Sequence, residues 1–165
     1  MNLEIRRFEA KDFGAVCAGL TARPAATHRR RLERQALGGF VQLIAWADGE
    51  PAGAVGLSLP VGRATDELCE FRGLPVVEDL FVESPWQGNG IGRALMEALE
   101  AEARRLGEVG IALDTGVDDT FEAARSLYRS MDYVDRGGVF LGGWSDPSID
   151  GVHFVDPLTI WWKEF

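Results

Sequence analysis

With 165 residues, 46% of them hydrophobic, the chain can bury a sizeable core and is read as one domain over residues 1–165. Its 26 acidic and 17 basic side chains give a formal net charge of −9, a surface that repels a phosphate backbone and excludes nucleic acid as an expected partner. No apolar run approaches a bilayer span, and Cys17 and Cys69 sit in no CxxC pattern, so no membrane, disulfide framework or zinc knuckle is expected, and a reducing cytoplasm is the default location.

Residues 2–8 alternate charge and bulk as an opening strand and match neither a secretory signal nor a transit peptide. Phe13, Val16, Cys17 and Leu20 then recur at i, i+3, i+4 and i+7, a helix face on which Cys17 is a packing residue rather than a nucleophile. A second helical stretch after Thr27 carries Arg29, Arg30, Arg31 and Arg34 and stops at Gly38, which tolerates a left-handed conformation. These arginines read as a solvated face, with an anion grip as the alternative. Two strands, 40–46 and 52–59, are joined through Asp48 and Gly49 as an antiparallel hairpin. Residues 60–75, with Pro60, Gly62, Arg63, Gly73 and Pro75, have no period and read as a surface connection with room for a role at a site.

From 76 to 82 apolar residues fall on both faces, Val76, Leu80 and Val82 on one and Val77 and Phe81 on the other, so this strand is expected to be covered on both sides. A glycine-rich loop leads into a helix whose Ile91, Leu95, Ala98, Leu99, Ala103 and Leu106 form one stripe, with Glu100 and Arg104 on the outer face. Gly107 stops that helix, and Val109, Ile111 and Leu113 alternate as a buried strand lying parallel to the previous one across a right-handed crossover. Asp119 and Glu122 read as a capping box opening a short helix through Ala124, Leu127 and Tyr128, and a further strand begins near Tyr133. Residues 137–157 are rich in Gly, Asp, Pro and Ser, and 158–162 close the chain as a strand. The elements predict an α/β (α+β) architecture, with a mixed central sheet of about six to seven strands flanked by about four helices. His28 and His153 are isolated, so no metal site is expected.

Gln87, Gly88, Asn89, Gly90, Ile91 and Gly92 lie between a buried strand and a helix, where unpaired N–H groups and the positive end of the helix dipole converge. Alternating glycines let the backbone approach phosphate oxygens, and Arg93 adds a cationic donor at the rim. The place suits a pyrophosphate; the alternative is a tight turn with no ligand. Spacing excludes the two commonest phosphate loops. From Gly88, GxGxxG needs glycine at 93, and a Walker loop needs glycine at 93 and lysine at 94, where Arg93 and Ala94 stand.

Glu78-Asp79-Leu80-Phe81-Val82 followed by Gln87 to Gly92 resembles motif A of the GNAT family of N-acetyltransferases, (R/Q)xxGx(G/A), with Gln87, Gly90 and Gly92 in its fixed positions. The resemblance runs over residues 3–136 and is strongest from 76 to 133, with the hairpin at Gly49 to Gly53 and Ala124-Arg125-Ser126-Leu127-Tyr128 before Tyr133 as further matches. It implies the acyl-CoA N-acyltransferase fold and acetyl-CoA as acyl-donor cosubstrate. Leu80, Phe81 and Val82 would lie along the pantetheine arm, and Gln87, Gly88, Asn89, Gly90, Ile91, Gly92 and Arg93 around the pyrophosphate. It also implies two neighbouring strands that splay to admit the thioester. Phe121 stands where many family members carry an asparagine that reaches the cofactor. The segment 140–157, with Trp144, Asp146, Asp150, His153 and Asp156, exceeds a simple hairpin, and reads as an acceptor wall, a dimer cover or a surface loop.

Acetyl transfer to an amine needs a neutral nucleophile, stabilisation of a tetrahedral oxyanion and a proton for the departing thiolate. Tyr128 falls where the family often places a phenol near the CoA sulfur, and a free pKa of ~10 keeps it protonated at neutral pH; the alternative is a half-buried packing aromatic. Glu78 interrupts an otherwise buried strand, where an unpaired carboxylate's pKa would rise, and is the candidate base, through water. Asp79 is its near rival, and a structural carboxylate is the alternative for either. The main-chain amide near Leu80 is the candidate oxyanion donor.

The expected function is transfer of acetyl from acetyl-CoA to a primary amine of a small molecule or peptide, by direct attack in a ternary complex, from a monomer or homodimer. The acidic balance favours a cationic acceptor. A catalytically silent acyl-CoA-binding module is the alternative, and a generic nucleotide-binding domain is weakened by the failed spacings.

Overall fold

The structure, a computed structural model, describes residues 1–61, 71–145 and 153–165. Gly62, Arg63, Cys69, Asp146 and Asp150 lie outside the described residues, as do the side chains of Trp144 and His153.

The chain opens with β1 (Leu3–Arg7), α1 (Phe13–Gly19) and α2 (Ala25–Ala36). The second helix starts directly after Pro24, ahead of the expected Thr27, and ends before Gly38 at φ 78°. Strands β2 (Phe40–Ala47) and β3 (Glu50–Ser58) are joined by Asp48 and Gly49 at φ 51° and 87°. Two consecutive left-handed residues give the hairpin turn whose twist matches the strands. There follow β4 (Val76–Val82), α3 (Ile91–Arg105), β5 (Gly110–Gly116), α4 (Glu122–Ser130), β6 (Val134–Asp135), β7 (Phe140–Ser145) and β8 (His153–Glu164).

These strands form one eight-stranded sheet in the order β1-β2-β3-β4-β5-β8-β6, with β7 paired to β8. Every pairing is antiparallel except β4 with β5, the crossover expected across α3. The eighth strand beyond expectation comes from the glycine-rich segment. Gly142 and Gly143 erase the alternation by which β7 would be recognised, and β8 runs well beyond the expected 158–162.

Helices α3 and α4 cover one face. Leu95, Met96, Leu99 and Ala103 of α3 and Tyr128 of α4 pack with Val41, Leu43, Val55, Leu57, Val77, Ile111, Leu113 and Trp161 of the sheet. On the other face, Val16 and Leu20 pack with Phe8, Ile44, Trp46 and Ala54 beneath α1 and α2. Each such large side chain, fully buried, contributes about 1.5–3 kcal/mol against its exposed state. No described helix is long and apolar enough to cross a membrane.

Several local expectations are corrected. Glu100 is buried, not on the outer face of α3, because Lys163 of β8 reaches it at 2.9 and 3.0 Å. Val109 precedes β5 and is 70% exposed. The turn before α4 is capped by Asp118, whose carboxylate accepts from Thr120 N–H at 2.8 Å, rather than by a box between Asp119 and Glu122.

The facing of β4 also differs. Ala54 pairs with Phe81 but Gly56 pairs with Glu78, so β4 carries one residue more than β3 across this stretch. Asp79 sits in the extra space at φ 54°. An inserted residue reverses the parity of everything beyond it. Leu80 and Val82 therefore join Val77 on the α3 side, while Val76 packs elsewhere, with Leu74 and Ala112.

Candidate active site

The register between β4 and β5 consists of one pair, Val76 with Ala112, supported by Ala112 N–H donating to Pro75 O at 2.9 Å. Beyond it the strands part. Glu83 N–H donates to Ala52 O at 2.9 Å, so the main-chain groups of Phe81 and Glu83 point to β3 and those of Leu80 and Val82 point to the β5 side. A cleft thus opens along the second half of β4, edged by polar backbone.

At the end of that edge lies the glycine loop. Gly88 and Gly90 both have φ 78°, the left-handed geometry that admits glycine most readily, and nothing lies within 4 Å of where a Cβ would project from either. The first α3 hydrogen bond closes from Ala94 N–H to Gly90 O at 3.1 Å, which leaves the N–H groups of Ile91, Gly92 and Arg93 without intrahelical acceptors. The side chains brace the turn. Gln87 Nε2 donates to Val82 O at 2.9 Å, and Asn89 Nδ2 donates to Trp86 O and Gln87 O at 3.1 and 3.2 Å. A methyl group at Gly92 would meet Leu127 and Val82 at 3.7 and 3.9 Å, ordinary contacts in keeping with a glycine-or-alanine position. Arg93 donates to Ser130 Oγ at 2.6 Å and ties α3 to the end of α4. This turn, bare of side chains over its glycines and rich in free N–H groups, fits a pyrophosphate.

Tyr128 is carried by α4 and is buried, its ring tilted against Tyr133 and Trp161 at 5.9 and 6.5 Å. Burial, helped by the charge of Asp114, pushes its pKa up to about 12, so the phenol stays protonated over the working pH range of a protein. Asp114 belongs to β5, the other wall of the cleft.

Glu78 and Asp79 point the other way, to α2. Arg34 donates to both oxygens of Glu78 at 2.8 and 3.0 Å and to Ser58 Oγ at 3.1 Å. Burial raises the Glu78 pKa, but the Arg34 hydrogen bonds and charge, with Ser58, outweigh it and hold the carboxyl below its ordinary value. The rise expected for an unpaired carboxylate is thus corrected. Asp79 behaves likewise: burial raises its pKa, and pairing with Arg23 and Arg31 brings it net downward. Arg23 Nε donates to Asp79 Oδ2 at 2.8 Å, and the Nη2 atoms of Arg23 and Arg31 bind its two oxygens. The reading of the four arginines as a solvated face holds for the exposed Arg29 and Arg30 and fails for Arg31 and Arg34, since Arg31 is only 6% exposed and both grip carboxylates of their own chain.

Sequence reasoning named Arg31, Arg34 and Arg125 but missed their partners. The signal for the first two is their spacing of one turn on α2 against consecutive carboxylates on β4. Buried Arg125 donates to Asp118 O at 2.9 Å and to Gly116 O, fixing the end of β5. Phe121 lies against Gly116 at that same end, where a Cβ would collide with its ring.

The profile of the acetyltransferase (GNAT) family matches residues 3–133. Among curated proteins, the chain is 42% identical over 62 residues to an IAA acetyltransferase of Azospirillum brasilense, covering 37% of this chain and 39% of that protein. It is 36% identical over 99 residues to an aminoglycoside N(6')-acetyltransferase type 1 of Stenotrophomonas maltophilia, covering 59% of this chain and 61% of that protein. Both matches thus span less than two thirds of the relatives' lengths. Among solved structures, an acetyltransferase from Salmonella typhimurium with its cofactor acetyl-CoA superposes with a TM-score of 0.71 at 18% identity, covering 99% of this chain and 94% of that one. At that identity the likeness establishes the fold.

Proposed function

The chain belongs to the acetyltransferase (GNAT) family, and from that premise we propose that it transfers an acetyl group from acetyl-CoA to a primary amine by direct attack in a ternary complex. One observation carries the reading: the backbone edge of Leu80 and Val82, which no described strand covers, runs directly into the N–H-rich turn at 88–93, so a single extended molecule with a pyrophosphate meets both. Acetyl-CoA has that shape and supplies an activated acetyl thioester.

The chain's own groups then take defined parts. The N–H groups of Gly88 to Arg93 receive the pyrophosphate, and the main chain of Leu80, Phe81 and Val82 aligns the pantetheine arm. The N–H of Leu80 faces the cleft as a donor to the thioester oxygen. As the amine nitrogen bonds to the acetyl carbon and the carbon–sulfur bond breaks, the Tyr128 hydroxyl gives its proton to the sulfur. Glu78 takes the proton lost by the amine, through water, as a carboxylate that Arg34 keeps ionised. An amine acceptor is supported by the relative named as an N(6')-acetyltransferase of aminoglycosides.

A second reading, a silent acyl-CoA-binding module, draws on the commitment of Glu78 to Arg34. The two separate in one experiment, a thermal shift with acetyl-CoA followed by a thiol-release screen over small-molecule and peptide amines. Acetyl-CoA at a hundred times its dissociation constant stabilises by about 2.7 kcal/mol. A shift with thiol release supports the enzyme, a shift without release the silent module, and no shift rejects both.

A further inference from the structure

The bulge at Asp79 decides which backbone groups line the cleft, and a carboxylate clamp holds it. Asp79 is not a glycine, yet it sits at φ 54°, in the left-handed region that L-residues other than Asn and Asp rarely enter. Its carboxylate receives Arg23 from the segment before α2 and Arg31 from α2 itself. Arg31 is the buried member of the pair, its side chain 7% exposed against 40% for Arg23. A bulge of one residue exchanges the facing of every position after it. With the bulge in place, Leu80 and Val82 turn their side chains to the α3 face and their main-chain groups to the edge that faces β5.

We propose that Arg31 is a positioning residue. Through Asp79 it fixes the bulge of β4 and so aims the N–H of Leu80 into the cleft between β4 and β5. Arg31 reaches no atom of that edge itself; its action passes through the Asp79 carboxylate. The proposal rests on the acetyl-transfer reading for its catalytic consequence, and on the bulge geometry alone for its structural one.

The test uses the full chain with Arg31→Met, Arg31→Lys and, as a control, Lys163→Met, which breaks a second buried ion pair on the opposite face of the sheet. Three quantities are read: the backbone amide resonance of Leu80, acetyl-CoA affinity by calorimetry, and turnover by thiol release with an amine found in the screen. In Arg31→Met the Leu80 resonance moves and turnover falls roughly 10- to 100-fold, the scale set by small misplacements at a reacting centre. Acetyl-CoA affinity falls by a smaller factor than turnover, since the N–H groups of residues 88–93 still hold the pyrophosphate. Arg31→Lys recovers part of the turnover, while Lys163→Met lowers the melting temperature and leaves turnover and the Leu80 resonance in place. Should Arg31→Met fail to fold, Arg31→Gln is read by the same measures. An unmoved Leu80 resonance, or an equal loss of turnover in Lys163→Met, overturns the proposal. If the unaltered protein releases no thiol with any amine, the acetyl-transfer reading fails on its own, and the Leu80 resonance still decides whether Arg31 holds the bulge.

Discussion

Arg34 closes over Glu78 with two nitrogens, at 2.8 and 3.0 Å, while its guanidinium carbon stands 4.2 Å from the centre of the Phe40 ring. The pair holds the Glu78 carboxyl below its ordinary value, so if Glu78 is the base proposed above, the acid-side rise of kcat/KM should lie below the ordinary glutamate range. Arg34→Met removes the pairing but not the burial, and burial alone raises the pKa. The rise in the pH profile of kcat/KM should therefore move to higher pH. A rise that stays in place assigns the base to another group.

Tyr128→Phe deletes one hydroxyl from a packed ring. Acetyl-CoA should still raise the melting temperature as in the unaltered protein, while turnover falls by about 10²-fold or more, the usual scale for losing a general acid. Because the Tyr128 pKa is pushed up to about 12, the unaltered enzyme should show no phenol-linked fall in kcat through the alkaline range open to measurement. Unchanged turnover in Tyr128→Phe rejects the proton-donor role.

Gly56 lies under the ring of Phe40, and a Cβ added there collides with the ring. Phe40 is buried and also carries Arg34 above it, so Gly56→Ala must displace both. Urea denaturation should show a loss of about 1–3 kcal/mol, the range for overpacking. Because the displaced ring also supports Arg34, the acid-side rise of kcat/KM should shift upward with it, in the direction given for Arg34→Met.

Acid should destabilise the fold in two stages. His28 is buried, and desolvation lowers its pKa from 6.5, so the unfolded chain binds the proton first and stability falls as pH drops from 6.5 towards the folded value. Asp12, Glu78 and Asp79 have folded pKa values below their ordinary ones, each with arginine partners. Their contribution is fully present above the unfolded values of roughly 4 and is lost as pH falls through the folded ones. Melting temperature against pH should show both stages, and His28→Gln should remove the upper one alone.

The sequence pattern located the loop because its information is local: residue types at fixed spacing between a strand and a helix. The Asp48-Gly49 turn and the crossover through α3 were legible for the same reason. The bulge was not. Strand alternation presumes that no residue is inserted, and the left-handed Asp79 is held by Arg31, 48 residues upstream. Glu100 was misread because its buried partner, Lys163, comes 63 residues later. Spacing along one helix cannot report a cation arriving from the far end of the sheet.

Among the described residues a single rung joins β1–β4 to the strands beyond, so the sheet behaves as two panels sharing a seam. The panels stay aligned because α3 lies across both, touching β1 to β4 on one side and β5 on the other. A molecule entering the seam therefore breaks no existing ladder. It finds the backbone edge of Leu80 and Val82 covered by no described strand, and can add its own hydrogen bonds beside the one that Gln87 makes to Val82 O.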